Sequence, residues 1–324
     1  MLHLDGVIYS LQQTGGISVL FDEILKRLPE EKYTLDIPRL SYPWSRYCNA
    51  SFDSNKSIFH STYYRLPEGK SAGIVTTVHD FTYERFARGI RKSLHGWQKR
   101  KAISGADIII CVSESTKADL YEFVKVGRAQ KVIVVPNGVS MAYRHLACSI
   151  EQQVLFVGAR GSYKNFRNVV LALARSPDIM LVCVGGGEYS REEKKFLEET
   201  IPGRYRHAGR LTNEELNEEY NKSICLVYPS LYEGFGIPIL EAMNAGCPVI
   251  AVRSSSIPEV AGDAAWLLES GSVEEIAGGV DFFRSNVNRE RFIMLGFSQA
   301  SKFSWDITYR RTLEVYEELL GEKL

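Results

Sequence analysis

The chain of 324 residues is longer than a single hydrophobic core usually serves, so two domains are expected. Its composition, 45% hydrophobic and 24% charged, is that of an ordinary globular protein, and no run of about 18 apolar residues is present to span a bilayer. The net charge of zero hides a split: residues 1–150 carry 20 Lys and Arg against 14 Asp and Glu, whereas residues 151–324 carry 19 against 25, which fits two domains with different jobs.

The first residues, MLHLDGVIYS, lack a basic stretch ahead of an apolar one, so a secretory signal is not expected. Six widely spaced cysteines, at 48, 111, 148, 183, 225 and 247, form no C-x-x-C pair, and several sit in apolar runs. They read as reduced, mostly buried residues of a cytoplasmic protein rather than as disulfides or a metal site.

Along the chain, Ile17, Leu20, Phe21, Ile24, Leu25 and Leu28 follow helical spacing, and Thr14-Gly15-Gly16-Ile17 opens that helix. Strands are predicted at 74–78, 107–112, 131–135, 154–157, 180–184, 224–228 and 248–252, with helical patterns between them. The alternation implies parallel sheets with right-handed crossovers. It pauses at 140–153, where a domain boundary is expected. Two doubly wound domains follow, spanning 1–145 and 150–303, with ligands at the C-terminal strand ends. Trp305, Tyr309, Leu313, Tyr316 and Leu320 mark one apolar face of a last helix. That helix could pack on its own domain or cross back to the first.

Four features carry chemistry. The stretch YEGFGIPILEAMNAG follows a strand, with Pro238 suited to a first helical turn and Gly246 to the position past its end. A helix from about 238 to 245 would present free N–H groups and a partial positive charge, and Gly234 and Gly236 would let an anion approach the backbone. Glu241 is expected in the first turn and Glu233 before it. Carboxylates cannot hold phosphate but can hold sugar hydroxyls, and a nucleotide sugar has two sets of these. A helix cap and a surface carboxylate are the plainer reading of that pair. The loop VGARGSYKNF offers Arg160 and Lys164 as cations for a diphosphate, or as an ordinary solvated basic loop. Gly15 and Gly16 mark a second glycine-rich helix N-terminus. His79 and Asp80 end a strand.

Together with PNGV (136–139), GCPVIA (246–251) and GGIS (15–18), these motifs resemble the retaining glycosyltransferases of family GT4, over essentially the whole chain. DGVIYSLQQTGGIS and VTTVHDFTYERF are similar to bacterial O-antigen and capsule enzymes of that family, many of them mannosyltransferases. The resemblance implies an α/β GT-B fold: two Rossmann-like domains facing a cleft, with the last helix, 304–324, crossing back to the N-terminal domain. The N-terminal domain would bind a glycan or lipid-linked acceptor, and the C-terminal domain a nucleotide sugar. Arg160 and Lys164 would clamp the diphosphate, Glu241 the ribose and Glu233 the donor hexose, with backbone contacts at Gly234, Phe235, Gly236 and Ile237. Gly15 and Gly16 would meet the diphosphate, and His79 the hexose. Gly209 and Leu211, in HAGRL, match the base-contacting strand end. The spacing of Arg160 and Lys164 is four, where six or so is commoner in the family.

Such enzymes need no metal, and the chain has no D-x-D triplet to hold one. Retention by front-face attack is the family's expected route, with the departing phosphate taking the acceptor proton. A double displacement would need a carboxylate nucleophile, for which Glu233 is the one obvious candidate, and its expected place near other hydroxyls argues against it. GDP-mannose is the favoured donor, with UDP-sugars next. Residues 83–103 hold Arg85, Arg88, Arg91, Lys92, Lys99, Arg100 and Lys101, with Phe81, Phe86 and Trp97 nearby, a basic aromatic stretch that could meet anionic lipid or a lipid-diphosphate glycan at the inner membrane face. No nucleic-acid motif accompanies it. A nucleotide-sugar epimerase would need further catalytic acids, and a non-catalytic binding module should have lost some of these residues.

Overall fold

The computed structural model describes every residue except 13, 14, 43, 88 and 324, and of 90–92 it describes the backbone alone. Thr14 and Arg88, and the side chains of Arg91 and Lys92, therefore lie outside the described residues. Two compact units are present: Met1–Gly138 with Trp305–Leu324, and Val139–Ser304. In the first, β1 (Leu2–Asp5), β2 (Tyr33–Asp36), β3 (Ser54–Ser61), β4 (Ser71–Val78), β5 (Ile108–Cys111) and β6 (Lys131–Val134) form a sheet of order β2-β1-β3-β4-β5-β6. In the second, β7 (Gln153–Val157), β8 (Met180–Val184), β9 (Tyr205–Gly209), β10 (Cys225–Tyr228), β11 (Val249–Val252) and β12 (Ala265–Leu268) run in the order β12-β11-β10-β7-β8-β9. Every pairing in both sheets is parallel.

Parallel sheets are covered on both faces, so their central strands read as unbroken apolar runs. β5, β10 and β11 are buried at every position and were legible in the sequence for that reason. Five strands were missed: β1, β2, β3, β9 and β12. β2 and β9 lie at sheet edges with exposed polar positions, and β3 opens on Ser-Asn-Lys-Ser. β1 is central but ends on a buried Asp5, whose charge is met by Arg65 at 2.8 Å.

The sheet orders place the motif loops. In the second unit the chain winds one way from β7 to β9 and the other way from β10 to β12. The crossovers thus diverge at the C-terminal ends of β7 and β10, where open α/β sheets bind ligands. The two motif loops follow those two strands. In the first unit the reversal lies between β1 and β3.

The last helix, Trp305–Leu320, packs on the helix Gly16–Leu25 and on β3 and β4. Its buried face is Trp305, Thr308, Thr312, Val315 and Tyr316, which shares only Trp305 and Tyr316 with the apolar stripe read from the sequence. The two threonines are accepted because their hydroxyls find carbonyls, Thr308 donating to Pro136 O at 2.7 Å and Thr312 to Thr308 O at 2.8 Å. Tyr316 OH lies 2.8 Å from Nδ1 of fully buried His60, whose Nε2 is 2.9 Å from Thr77 Oγ1. Burial pushes the His60 pKa down to about 3, so the ring is neutral. Tyr316→Phe leaves one buried ring nitrogen unpartnered, and a loss of about 1–3 kcal/mol is expected, seen as a lower urea midpoint. An unchanged midpoint would remove this bond from the account of how the helix is held.

Candidate active site

The loop after β10 leads into the helix Ile237–Ala245, starting one residue before the predicted position. Gly236 precedes it at φ 107°, a conformation costly for a residue with a Cβ, and provides no side-chain cap. With Pro238 lacking an N–H, the helix start keeps its partial positive charge without a protein anion on its cap. The loop is stapled from the strand beside it. Ser254 Oγ donates to Leu231 O at 2.6 Å, Glu233 N to Ser255 Oγ at 2.8 Å, and Ser256 Oγ to the carbonyls of Glu233 and Phe235 at 3.0 and 2.8 Å. On the other side Leu231 N donates to Tyr163 O at 2.7 Å. The three serines after β11 were not singled out from the sequence; only their register beside β10 gives them this role. Phe235 turns its ring inward against Phe303, at 5.9 Å between centroids.

Lys164 ends a short 3-10 turn, Ser162–Lys164, after β7. Its ammonium forms an ion pair with Glu233, the two side chains being 12% and 13% exposed. The same ammonium lies 5.3 and 5.4 Å from the ring centroids of Tyr163 and Tyr228. The fold thus joins a cation expected at the diphosphate to a carboxylate expected at the hexose, although 69 residues separate them.

Glu241 lies in the second turn of its helix rather than the first, since the helix starts at Ile237. Tyr220 OH donates to its Oε2 at 2.9 Å, while the Tyr143 hydroxyl donates to Asn213 Oδ1 at 3.1 Å. Burial raises the Glu241 pKa from 4.5 to about 7, against the Tyr220 and Tyr143 hydroxyls, which lower it. A carboxyl whose folded pKa is raised contributes stability below its unfolded pKa and loses it as pH rises through the folded value. Glu241→Gln is therefore expected to melt increasingly above the parent as pH goes from 5 to 8. A pH-independent difference would mean that the carboxyl is not desolvated.

Arg160 does not stand in solvent. Its side chain is 3% exposed and lies 4.6 Å from the Tyr189 ring centroid. Nε donates to Glu193 at 3.0 Å, Nη1 to Gly185 O at 3.2 Å, and Nη2 to Gly187 O at 2.8 Å and Glu188 O at 3.0 Å. Of the two loop cations offered by the sequence, the structure ties Arg160 to the turn after β8. Gly185, Gly186 and Gly187 all have φ near 74°, and a Cβ on Gly186 would lie 2.6 Å from Gly158 O. His207 Nε2 lies 3.0 Å from Gly185 O. Gly209, at φ 73°, accepts from Gly185 N at 2.8 Å, and Leu211 follows it. The 158–160, 185–188 and 207–211 segments therefore meet at one end of the sheet.

In the first unit, Gly15 precedes the helix that starts at Gly16, again with no side-chain cap. His79 follows β4. Its amide donates to Tyr64 OH at 3.3 Å, and its buried Nε2 has no hydrogen-bond partner among the described residues. Burial lowers its pKa to about 4, so it offers a neutral ring nitrogen. The basic stretch is less open than its sequence implies. Arg85 pairs with Asp119 and with Glu122, Lys99 is buried against Glu84 at 2.8 Å, and Lys101 donates to Asn49 at 2.7 Å. Cys111, Cys183, Cys225 and Cys247 are buried, while Cys48 and Cys148 are exposed. Among the described residues, no helix is long and apolar enough to cross a membrane, and no three His, Cys, Asp or Glu side chains are grouped to hold a metal ion.

Residues 149–294 match the family described as glycosyl transferases group 1, and residues 54–143 match glycosyltransferase family 4. The chain is 26% identical to O-antigen chain mannosyltransferase B of Escherichia coli, over 91% of this chain and 83% of that protein. Sucrose-phosphate synthase from Thermosynechococcus elongatus superposes with a TM-score of 0.80 over 99% of both chains, at 17% identity. HepE of Anabaena, solved in complex with UDP-glucose, superposes at 0.75 over 98% of this chain and 99% of its own, at 14% identity. With both Rossmann-like sheets, both halves matched and the motif loops at the strand ends, the chain is a glycosyltransferase of family 4 with the GT-B fold.

Proposed function

We propose that the chain transfers a hexose, with retention of configuration, from a nucleoside-diphosphate sugar to a glycan or lipid-linked glycan of a surface polysaccharide. GDP-mannose is the favoured donor, supported by the likeness to an O-antigen mannosyltransferase; a UDP-sugar is the second reading, supported by the structural likeness to HepE. The observation that carries the proposal is the pair of Lys164 and Glu233 beside an uncapped helix start, with Glu241 further along that helix.

In this reading the diphosphate lies at the start of the helix Ile237–Ala245 and takes Lys164 as its counter-ion. Glu233, released from that pair, accepts from hexose hydroxyls, and Glu241 accepts from the ribose. In the first unit, the neutral Nε2 of His79 is an acceptor suited to a sugar hydroxyl. The bond from the anomeric carbon to the phosphate oxygen breaks, the acceptor oxygen bonds that carbon on the same face, and its proton passes to the departing phosphate. Lys164 and the helix dipole stabilise the growing charge, so no metal is required.

Thermal shift with GDP, UDP and ADP tests the donor base: a ligand at 100 times its Kd stabilises by about 2.7 kcal/mol. GDP is expected to give the largest shift, with EDTA present, and transfer is expected to survive EDTA. No shift with any of the three, or activity lost in EDTA and restored by Mn²⁺, would sink this reading. Glu233 competes with the diphosphate for Lys164. Glu233→Gln should thus bind the free nucleotide at least as tightly as the parent while transferring poorly, whereas Glu241→Ala should bind it more weakly. Calorimetry decides, and equal loss in both would mean that the two roles are mis-assigned.

A further inference from the structure

Arg46 lies in the first unit, in the short turn Ser45–Tyr47 between β2 and β3. Its guanidinium carbon is 5.3 Å from the Tyr47 ring centroid and 5.1 Å from that of Tyr63. Among the described residues, its buried Nε has no hydrogen-bond partner and no carboxylate forms an ion pair with it. Its position is fixed from below, where Gln98 Nε2 donates to Arg46 O at 2.8 Å. The other withdrawn arginines among the described side chains of this unit are treated differently: Arg65 is paired with Asp5, and Arg27 with Glu23 and Asp306. A partly buried guanidinium with donors to spare is costly unless an anion completes it.

The surroundings are aromatic. Tyr47 lies edge-on to His95 at 5.8 Å between centroids, and His95 stacks on Tyr83 at 4.2 Å. Tyr63 packs on Tyr64 at 4.9 Å, and the Tyr64 hydroxyl accepts from the amide of His79. A continuous run of rings thus links Arg46 to the strand end that carries His79. Asp80 is the acidic group that acts on Tyr63 from this edge, and its Oδ1 accepts from Thr82 N at 2.8 Å. Lys99 and Lys101 are already held by Glu84 and Asn49. Among the described side chains of this unit, Arg46 is the withdrawn arginine that meets no carboxylate.

We propose that Arg46, clasped by Tyr47 and Tyr63, binds an anionic group of the acceptor, through the oxygens of a phosphate or a sugar carboxylate. This rests on the glycosyltransferase reading and adds to it that the acceptor carries negative charge. The planar fork suits two oxygens at once, and the flanking rings suit the apolar face of a neighbouring sugar.

The test uses the whole chain, with the nucleoside diphosphate that binds best held saturating so that anion sites of the second unit are filled. Calorimetry with farnesyl diphosphate and with methyl glucuronide distinguishes a lipid diphosphate from an acidic sugar, and methyl glucoside is the neutral control. One anionic probe is expected to bind and the neutral one to bind at least tenfold more weakly. Arg46→Gln should weaken the anionic probe about tenfold or more, and Arg46→Lys less, since charge remains but the fork is lost. Nucleotide affinity and melting temperature should be unchanged in Arg46→Lys, which guards against a folding defect in Arg46→Gln. No binding of either anionic probe by the parent, equal binding of the neutral probe, or undiminished binding in a folded Arg46→Gln would overturn the proposal. Failure of every nucleotide to bind the parent would instead count against the donor reading.

Discussion

Lys164→Ala is expected to lower kcat about 10²–10³-fold at saturating donor, the usual loss when one preorganised charge donor is removed from a developing anion. The residue suits this role because its ammonium is held at the switch between β7 and β10, beside the uncapped helix start, by Glu233 and two tyrosine rings. An interaction that strengthens as the leaving group gains charge lowers kcat more than it raises KM. The variant also leaves Glu233 without its counter-ion, and that carboxylate would repel a diphosphate. The double variant Lys164→Ala/Glu233→Gln separates the two effects. Nucleotide affinity should recover in the double variant, and kcat should not. A single-variant kcat within about threefold of the parent would move the leaving-group role elsewhere, with the helix N-terminus the remaining candidate.

Arg160→Ala is expected to destabilise the second unit by about 2–4 kcal/mol, lowering the melting temperature by several degrees. The cause is the three carbonyls, Gly185 O, Gly187 O and Glu188 O, that lose their donor together, with Glu193 losing its cation and Tyr189 its stacked partner. Three consecutive residues at positive φ have little to hold them in place except such external bonds. Arg160→Lys should recover only a small part, since a single ammonium cannot span the fork's four acceptors. Because the guanidinium is committed to this turn, the kinetic effect should fall on the KM for donor more than on kcat. A stable Arg160→Ala enzyme with kcat down about 100-fold would return Arg160 to the diphosphate, as its place in the motif first implied.

These two residues show where reading the chain alone reaches its limit. VGARGSYKN places two cations after a strand, and nothing in that string distinguishes one from the other. Strand order does: β8 lies beside β7 on one side and β10 on the other, so Arg160 meets the glycine turn after β8 while Lys164 meets Glu233 after β10. The same holds for Ser254, Ser255 and Ser256, which read as an ordinary loop until β11 pairs with β10 and brings them to the glutamate. Arg46 is likewise mute in sequence, since its surroundings are set by neighbours just after β3 and on the helix Gly89–Gly105.

What the sequence determined by itself was set by local physics. Strands buried on both faces require runs such as those of β5, β10 and β11, and the helix start without a side-chain cap is marked by Gly236 and Pro238. The alternating pattern, the two parallel sheets and the candidate sugar-nucleotide loop follow from such rules. Tertiary structure alone decided which charges are free and which are already answered. Lys99, Arg85 and Arg160 look like available cations in the string of residues, yet each is claimed by a partner at least fifteen residues away. Charge in a folded protein is settled by distance and burial, and neither is encoded in the spacing of residues along the chain.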